Sequence, residues 1–137
     1  MDGRRQLVQG GTLFEKDLVR VLHDTTQIAL ERAISGASMR HSALASNLAN
    51  ANTPGYQRVD VDFHGTLSAA MGDRERLEQV SFAPRRDMSA GVLRADGSTV
   101  DVDTESAQLA ANALEHSAAV AVAGTRIHIL QIAMGVR

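Results

Sequence analysis

Apolar residues in this chain recur at helical spacing in two long stretches and lose that spacing between them. In the first stretch Phe14, Leu18, Val21 and Ile28 fall on one helix face, with Thr25 filling the gap. The phase then slips to Leu30, Ile34, Ala37, His41, Leu44, Leu48 and Ala51, a strict alternation of four and three. The slip lies just before Gly36, and glycine weakens a helix interior by about 1 kcal/mol relative to alanine. The pattern predicts a helix from Phe14 to Asn50, with room for a bend near Ser35-Gly36. The second stretch begins after Asp101-Val102-Asp103-Thr104-Glu105, where Asp103 is placed to cap and Glu105 brings negative charge to the helix N-terminus. From there Leu109, Ala113, His116, Val120, Ala123, Ile127, Leu130 and Met134 alternate in the same way. A seven-residue repeat makes a narrow seam suited to a partner helix. Each segment is about 50 Å long at 1.5 Å per residue. Matched lengths and seams predict that the two pair, with Ala37, Ala113 and Ala123 allowing close approach.

Between the helices, Tyr56, Arg58, Asp60 and Asp62 alternate with Gln57, Val59, Val61 and Phe63, which fits an exposed extended segment. Residues 65 to 100 carry Gly65, Gly72, Pro84, Gly91 and Gly97 among many charges, without a sustained period. Asp96-Gly97 is a turn signal, and a small hairpin over Gly91 to Val102 is compatible with it. The remainder of the middle reads as irregular and flexible. The expected fold class is mainly α: long N- and C-terminal helices paired as a coiled-coil-like unit, with a short extended or β and irregular central segment. One domain spans 1–137, divided into a helix at 14–50, a corner with the extended segment and flexible middle at 51–103, and a helix at 104–136.

The first helix ends in a concentration of stop signals, Ala45-Ser46-Asn47-Leu48-Ala49-Asn50-Ala51-Asn52-Thr53-Pro54-Gly55-Tyr56. Asparagine side chains bond to nearby backbone in caps and turns, proline disfavours helix at the residue before it, and glycine permits positive φ. A sharply shaped corner follows. Tyr56, the only tyrosine, comes directly after it and is suited either to close the end of the seam or to anchor a neighbouring subunit.

Composition narrows the picture. Alanine, leucine and valine dominate, with three Phe, one Tyr and no Trp, so thin alanine-rich helix seams fit better than a thick aromatic core. Net charge is −2, and the basic residues are scattered among acids, which argues against a nucleic-acid partner. Without cysteine there is no disulfide, no thiolate metal site and no thiol nucleophile. Met1 to Gln6 lack the apolar core of a secretory signal, and the longest apolar run, Ala118 to Ala123, is too short to span a membrane.

Candidate chemistry is sparse. His41 and His116 each sit in a helical seam, where a packing role outweighs ligation. Val59-Asp60-Val61-Asp62 and Val100-Asp101-Val102-Asp103 repeat a pattern that brings carboxylates close, yet one copy suits a strand edge and the other a helix cap. Calcium-loop spacing is absent. No Gly-x-Ser-x-Gly elbow, phosphate loop or dinucleotide fingerprint occurs, and Gly10-Gly11 suits a flexible arm. No catalytic, cofactor-binding or metal residue is expected, nor a small-molecule substrate.

Ser46-Asn47-Leu48-Ala49-Asn50-Ala51-Asn52-Thr53-Pro54-Gly55-Tyr56 closely resembles the N-terminal signature of bacterial flagellar rod and hook proteins, roughly S-N-[IL]-A-N-x-[ND]-T-x-G-[YF]. Pro54, the following Arg58-Val59-Asp60-Val61-Asp62-Phe63 and the short chain are most like the family's proximal rod members. Asp96-Gly97-Ser98-Thr99-Val100-Asp101-Val102-Asp103 is similar to the family's region before the last helix. The resemblance covers about Leu30 to Phe63 and Asp96 onward. It implies a structural, non-enzymatic subunit that stacks helically into the periplasmic drive shaft of the flagellar basal body, exported without a cleaved signal peptide by the flagellar type III apparatus. Partners so implied are copies of itself, other rod proteins, and the adaptor and export-gate components beneath them. The assembly motif would comprise Ser46, Asn47, Leu48, Ala49, Asn50, Asn52, Thr53, Pro54, Gly55 and Tyr56. Helix-seam packing would rest on Leu30, Ile34, Leu44, Leu48, Leu109, Val120, Ile127, Leu130 and Met134. A helical adaptor or export chaperone, another rod protein of the family, and a small metal-dependent enzyme are the alternatives.

Overall fold

A computed structural model describes residues 24–87, 95 and 97–135. Residues 14–23 of the predicted first helix and 91–94 of the predicted hairpin lie outside the described residues. Helix α1 runs Thr25–Ala49 and helix α4 runs Val102–Ala133. They lie antiparallel: Asn47 meets Glu105 at one end, Asn112 bonds the Ala37 carbonyl midway, and Arg126 reaches Asp24 at the other. The molecule is mainly helical, with its strands and loops confined to the middle of the chain.

Each helix starts at an aspartate whose carboxylate takes up orphan backbone N–H groups. Asp24 accepts from the Gln27 N–H at 2.8 Å. For α4 the cap is Asp101, which accepts from the N–H groups of Asp103 and Thr104 at 3.0 and 3.4 Å. This corrects the expectation of Asp103. Asp101 holds the extended backbone a cap requires, whereas Asp103 already lies in the first helical turn.

The middle is more ordered than its composition suggests. It holds helix α2, Phe63–Ala70, and helix α3, Arg74–Gln79, capped by Asp62 and Asp73. Their apolar anchors recur for only one or two turns, too briefly to show a period. Ala70 and Leu77 pack with Ile28, while Val61 and Phe63 pack with Ala37 and Ala43, so both short helices lie against α1. Arg32 of α1 donates to the carbonyls of Leu77 and Glu78 and closes the end of α3. Strand β1, Val59–Asp60, pairs antiparallel with β2, Arg85–Arg86, in the register Val59 with Arg86 and Asp60 with Arg85. Thus the strand pairing found among the described residues lies upstream of the predicted hairpin, and residues 97–101 lead into α4 outside either strand.

Two further expectations change. The segment from Tyr56 to Phe63 is not exposed: Arg58, Val61 and Phe63 are all buried. Gly36 does not interrupt α1, which continues through it. A Cβ there would lie 2.7 Å from Cβ of Phe63, so the glycine exists to let the aromatic ring lie on the helix backbone.

The predicted seams are met unevenly. In α1, Leu44 is buried and Leu30, Ile34 and Leu48 are half-buried, but His41 is exposed. In α4, Leu109, Leu130 and Met134 are half-buried, while Val120 and Ile127 are 45% and 48% exposed. The reason is rotation: the row turned to α1 is Glu105, Asn112, Ala119 and Arg126, mostly polar, and apolar periodicity alone pointed to the neighbouring row.

Candidate functional site

The corner closes through short-range backbone bonds. Asn50 caps α1, its N–H bonding the Ser46 and Asn47 carbonyls and its side-chain amide donating to the Ser46 carbonyl at 2.8 Å. Thr53 N–H then donates to the Asn50 carbonyl at 2.9 Å, and Tyr56 N–H to the Thr53 carbonyl at 3.1 Å. Gly55 supplies the positive φ, 72°, that turns the chain back. Asn52, Thr53, Pro54 and Gly55 are exposed at the tip, whereas Ala51 is buried behind them. Ser46 and Ala49 are exposed on α1, and Leu48 and Asn50 are half-buried.

Asn47 ties the returning chain to the helix it has just left. Its Nδ2 donates to the Val59 carbonyl at 2.7 Å, and its Oδ1 accepts from the Val59 N–H at 3.0 Å. A side-chain amide thereby occupies the place of a neighbouring strand along β1. The same Nδ2 also donates to Glu105 at 2.9 Å, which links the corner to α4. Tyr56 folds back over this point, its hydroxyl donating to Asn47 Oδ1 at 3.4 Å and lying 3.3 Å from Ser46 Oγ.

A buried cluster of charges continues inward. Arg58 donates to Glu105 and Asp87 and is 2.8 Å from Gln108 Oε1. Arg40 of α1 bonds Asp60 through both nitrogens of its fork, at 3.0 and 3.2 Å. Charges removed from water are costly unless paired, and here each is paired. Burial opposes the charged form of Arg58, but the carboxylates of Glu105, Asp60 and Asp87 outweigh it and push the guanidinium pKa further up. Burial likewise raises the Asp60 pKa, but Arg40, the Val61 N–H and Arg58 together hold it below the usual carboxylate value. Residues 97–101 complete the enclosure: Thr99 N–H donates to the Tyr56 carbonyl at 3.2 Å, and Thr99 Oγ1 accepts from Arg58 N–H at 2.9 Å.

The structure thus brings Ser46, Asn47, Asn50, Thr53, Gly55 and Tyr56 of the predicted motif into one bonded unit, with Asn52 and Pro54 on its outside. Sequence reasoning missed Arg58, Glu105, Arg40, Gln108 and Asp87. A signal existed for the first two: Arg58 alternates in step with Asp60, and Glu105, Asn112 and Arg126 are polar residues at multiples of seven along one helix row. Chemically the arrangement is a clasp: its amide, guanidinium and carboxylate groups bond one another across the corner, β1 and α4. Among the described residues no three His, Asp or Glu side chains gather as a metal site would require, and no helix is long and apolar enough to cross a membrane.

Residues 28–57, covering most of α1 and the whole corner, match the family model described as flagella basal body rod protein. The flagellar basal body rod protein FlgB of Salmonella typhimurium is 31% identical over 115 residues, 71% of this chain and 83% of that protein. FlgB of Escherichia coli K12 is 31% identical over 104 residues, 63% of this chain and 75% of its own. FlgB of Cereibacter sphaeroides is also 31% identical, across 69% of this chain and 82% of its length.

Proposed function

The chain belongs to the flagellar basal body rod protein family and is a structural subunit of the bacterial flagellar rod; we propose that it occupies the proximal rod and assembles through the outer faces of α4. The observation that carries this is the second half of α4. Val120, Val122, Ile127, Ile129 and Ile132 are all largely exposed, and helical spacing sends them in different directions. Apolar side chains on several faces of a helix call for cover on each, and among the described residues α1 covers only one side. A contact between different faces of identical subunits that fails to close generates a filament, which suits a shaft.

The corner's role follows from its bonding. It fixes the returning chain against α1 and α4, so torque applied at one helix passes to the other through hydrogen bonds and ion pairs instead of through a loose loop. Copies of the chain, other rod proteins, and the adaptor and export-gate components at the rod base are the partners of this role. Delivery is by the flagellar export route without a cleaved signal, and the role is mechanical, not catalytic.

The test is to place a charge on the exposed apolar surface. Val122→Asp and Ile129→Asp leave the intramolecular contacts in place, so the chain's helix content stays unchanged while rod assembly and swimming are lost. Motile cells carrying both substitutions would refute the proposal.

A further inference from the structure

We propose that α4 has two rotational settings against α1 and that the bonds of Asn112 and Arg126 hold it in the one seen here, with Val120 and Ile127 turned outward; the inference concerns the subunit by itself and goes beyond its place in the rod. The row turned to α1 bonds to it at successive levels. Asn112 Nδ2 donates to the Ala37 carbonyl at 2.9 Å, and Arg126 donates to the carboxylate of Asp24. One position further round the helix, Ala113, Val120, Ile127 and Met134 form a row that is apolar throughout, yet Val120 and Ile127 remain nearly half exposed. Apolar burial ordinarily drives helix pairing. A pair that turns polar side chains inward and leaves their apolar neighbours in water is held so by its bonds.

Those bonds are incomplete. Asn112 is 1% exposed, and among the described residues its Oδ1 and the buried Nε of Arg126 have no hydrogen-bond partner. A buried polar atom without a partner opposes the packing that buries it. Helix winding opposes it too. A straight α-helix drifts by about 20° per seven residues, so Arg126, three heptads beyond Glu105, is carried about 60° from the line on which Glu105 faces α1. Ile127 follows Arg126 by about 100° and stands nearer that line, about 40° to its other side. Keeping Arg126 on Asp24 therefore requires α4 to coil, and letting go brings the apolar row round. The turn accumulates along the helix, so Glu105 keeps its place beside Asn47 and Arg58. A seat for the apolar row exists on α1: counted from the bond between Asn112 and Ala37, Val120 lies eight residues along α4 and the half-buried Leu30 seven back along α1, at the same level. Released, Arg126 moves off the facing line, and Asp24, whose side chain is 38% exposed, stays hydrated as the cap of α1. Neither charge is stranded. The turned setting hides Val120 and Ile127 inside the pair, so the polar bonds give up packing within the subunit and keep that row on its surface.

The chain has no cysteine, so single thiols report the setting. Full-length Ala119→Cys and Val120→Cys chains in dilute solution are labelled with N-ethylmaleimide in two backgrounds. With Asn112 and Arg126 present, Val120→Cys should react several-fold faster than Ala119→Cys, whose position is half-buried on the facing row. With Asn112→Leu and Arg126→Leu the order should reverse while helix content by circular dichroism stays the same. An unchanged order would overturn the proposal, because other contacts would then set the rotation. Equally fast labelling of both thiols would overturn it too, since α4 would have come away from α1 instead of turning. If the double variant loses helix content, Arg126→Leu alone, which leaves Asn112 in place, carries the test with the same readings. Labelling is read on the isolated chain, so its failure leaves the rod-subunit role untouched.

Discussion

Arg58 and Glu105 form an ion pair across 47 residues of sequence, with side chains only 7% and 1% exposed. Removing one partner of such a pair leaves the other charge buried. Glu105→Ala should destabilise the fold by about 3–5 kcal/mol, whereas Arg58→Met combined with Glu105→Leu should cost less than the sum of the single changes. Urea unfolding of Glu105→Ala, of Arg58→Met and Glu105→Leu singly, and of their double variant measures both. Additive losses would show that the two side chains act independently.

Asn47 and Asn52 belong to the same corner yet have different work to do. Asn47→Ala removes four bonds at once, to both backbone groups of Val59, to Glu105 and from the Tyr56 hydroxyl, and should cost about 2–4 kcal/mol with loss of swimming. Asn52→Ala alters an exposed side chain and should change stability by less than about 0.5 kcal/mol. Thermal melts and swarm diameters of the two variants test the division.

Gly36→Ala sets two effects against each other. Alanine favours the helix by about 1 kcal/mol, but its Cβ would lie 2.7 to 2.9 Å from three Phe63 atoms. Overpacking typically costs about 1–3 kcal/mol, so the variant should melt lower, and adding Phe63→Leu should recover part of the loss. A melting point at or above that of the parent would mean that Phe63 moves aside freely.

Acid should loosen the ends of the helix pair. Asp24 and Asp60 both have pKa values held below normal: Asp24 chiefly by the Gln27 N–H, against a burial effect, and with help from Arg126; Asp60 by Arg40, the Val61 N–H and Arg58, against burial. Their stabilisation is therefore complete above the unfolded carboxylate pKa of about 4 and is lost as pH falls through the depressed folded values, where the unfolded chain binds more protons. Melting temperature should be flat above about pH 5 and fall below about pH 4, with a shallower fall in Asp60→Asn. An equal slope in that variant would remove Asp60 from the account.

Hydrogen exchange should divide α4. The first half carries the buried Glu105 and Asn112 against α1, while Val120, Ile127 and Ile132 leave the second half with little cover. In the isolated chain, amides near 105–116 should be protected well beyond those near 120–132, and assembly should raise the latter most. Uniform protection along the unassembled helix would contradict this.

The long helices were legible because their apolar spacing persists for many turns, and the corner because Asn, Pro and Gly act locally. What the chain concealed was what depends on contact between distant residues. Phe63 explains Gly36, but the two are 27 positions apart, so the glycine looked like a flaw in the helix. The facing row of α4 is carried by Glu105, Asn112 and Arg126, and a search for apolar repeats passes over such residues. Val120 and Ile127 do belong to a seven-residue pattern, yet α1 leaves both largely exposed. The short helices α2 and α3 had their caps, Asp62 and Asp73, in plain view, but with too few turns to show a period.

The side-chain amide of Asn47 lies along β1 where another strand would dock, and the far side of the ribbon presents Pro84 followed by the exposed charges of Arg85 and Arg86. Neither edge offers the open row of N–H and C=O groups on which sheets grow. A structural subunit of an assembled rod is thereby denied the cross-β route to association, and crowding of subunits favours ordered growth of the shaft over amyloid-like clumping.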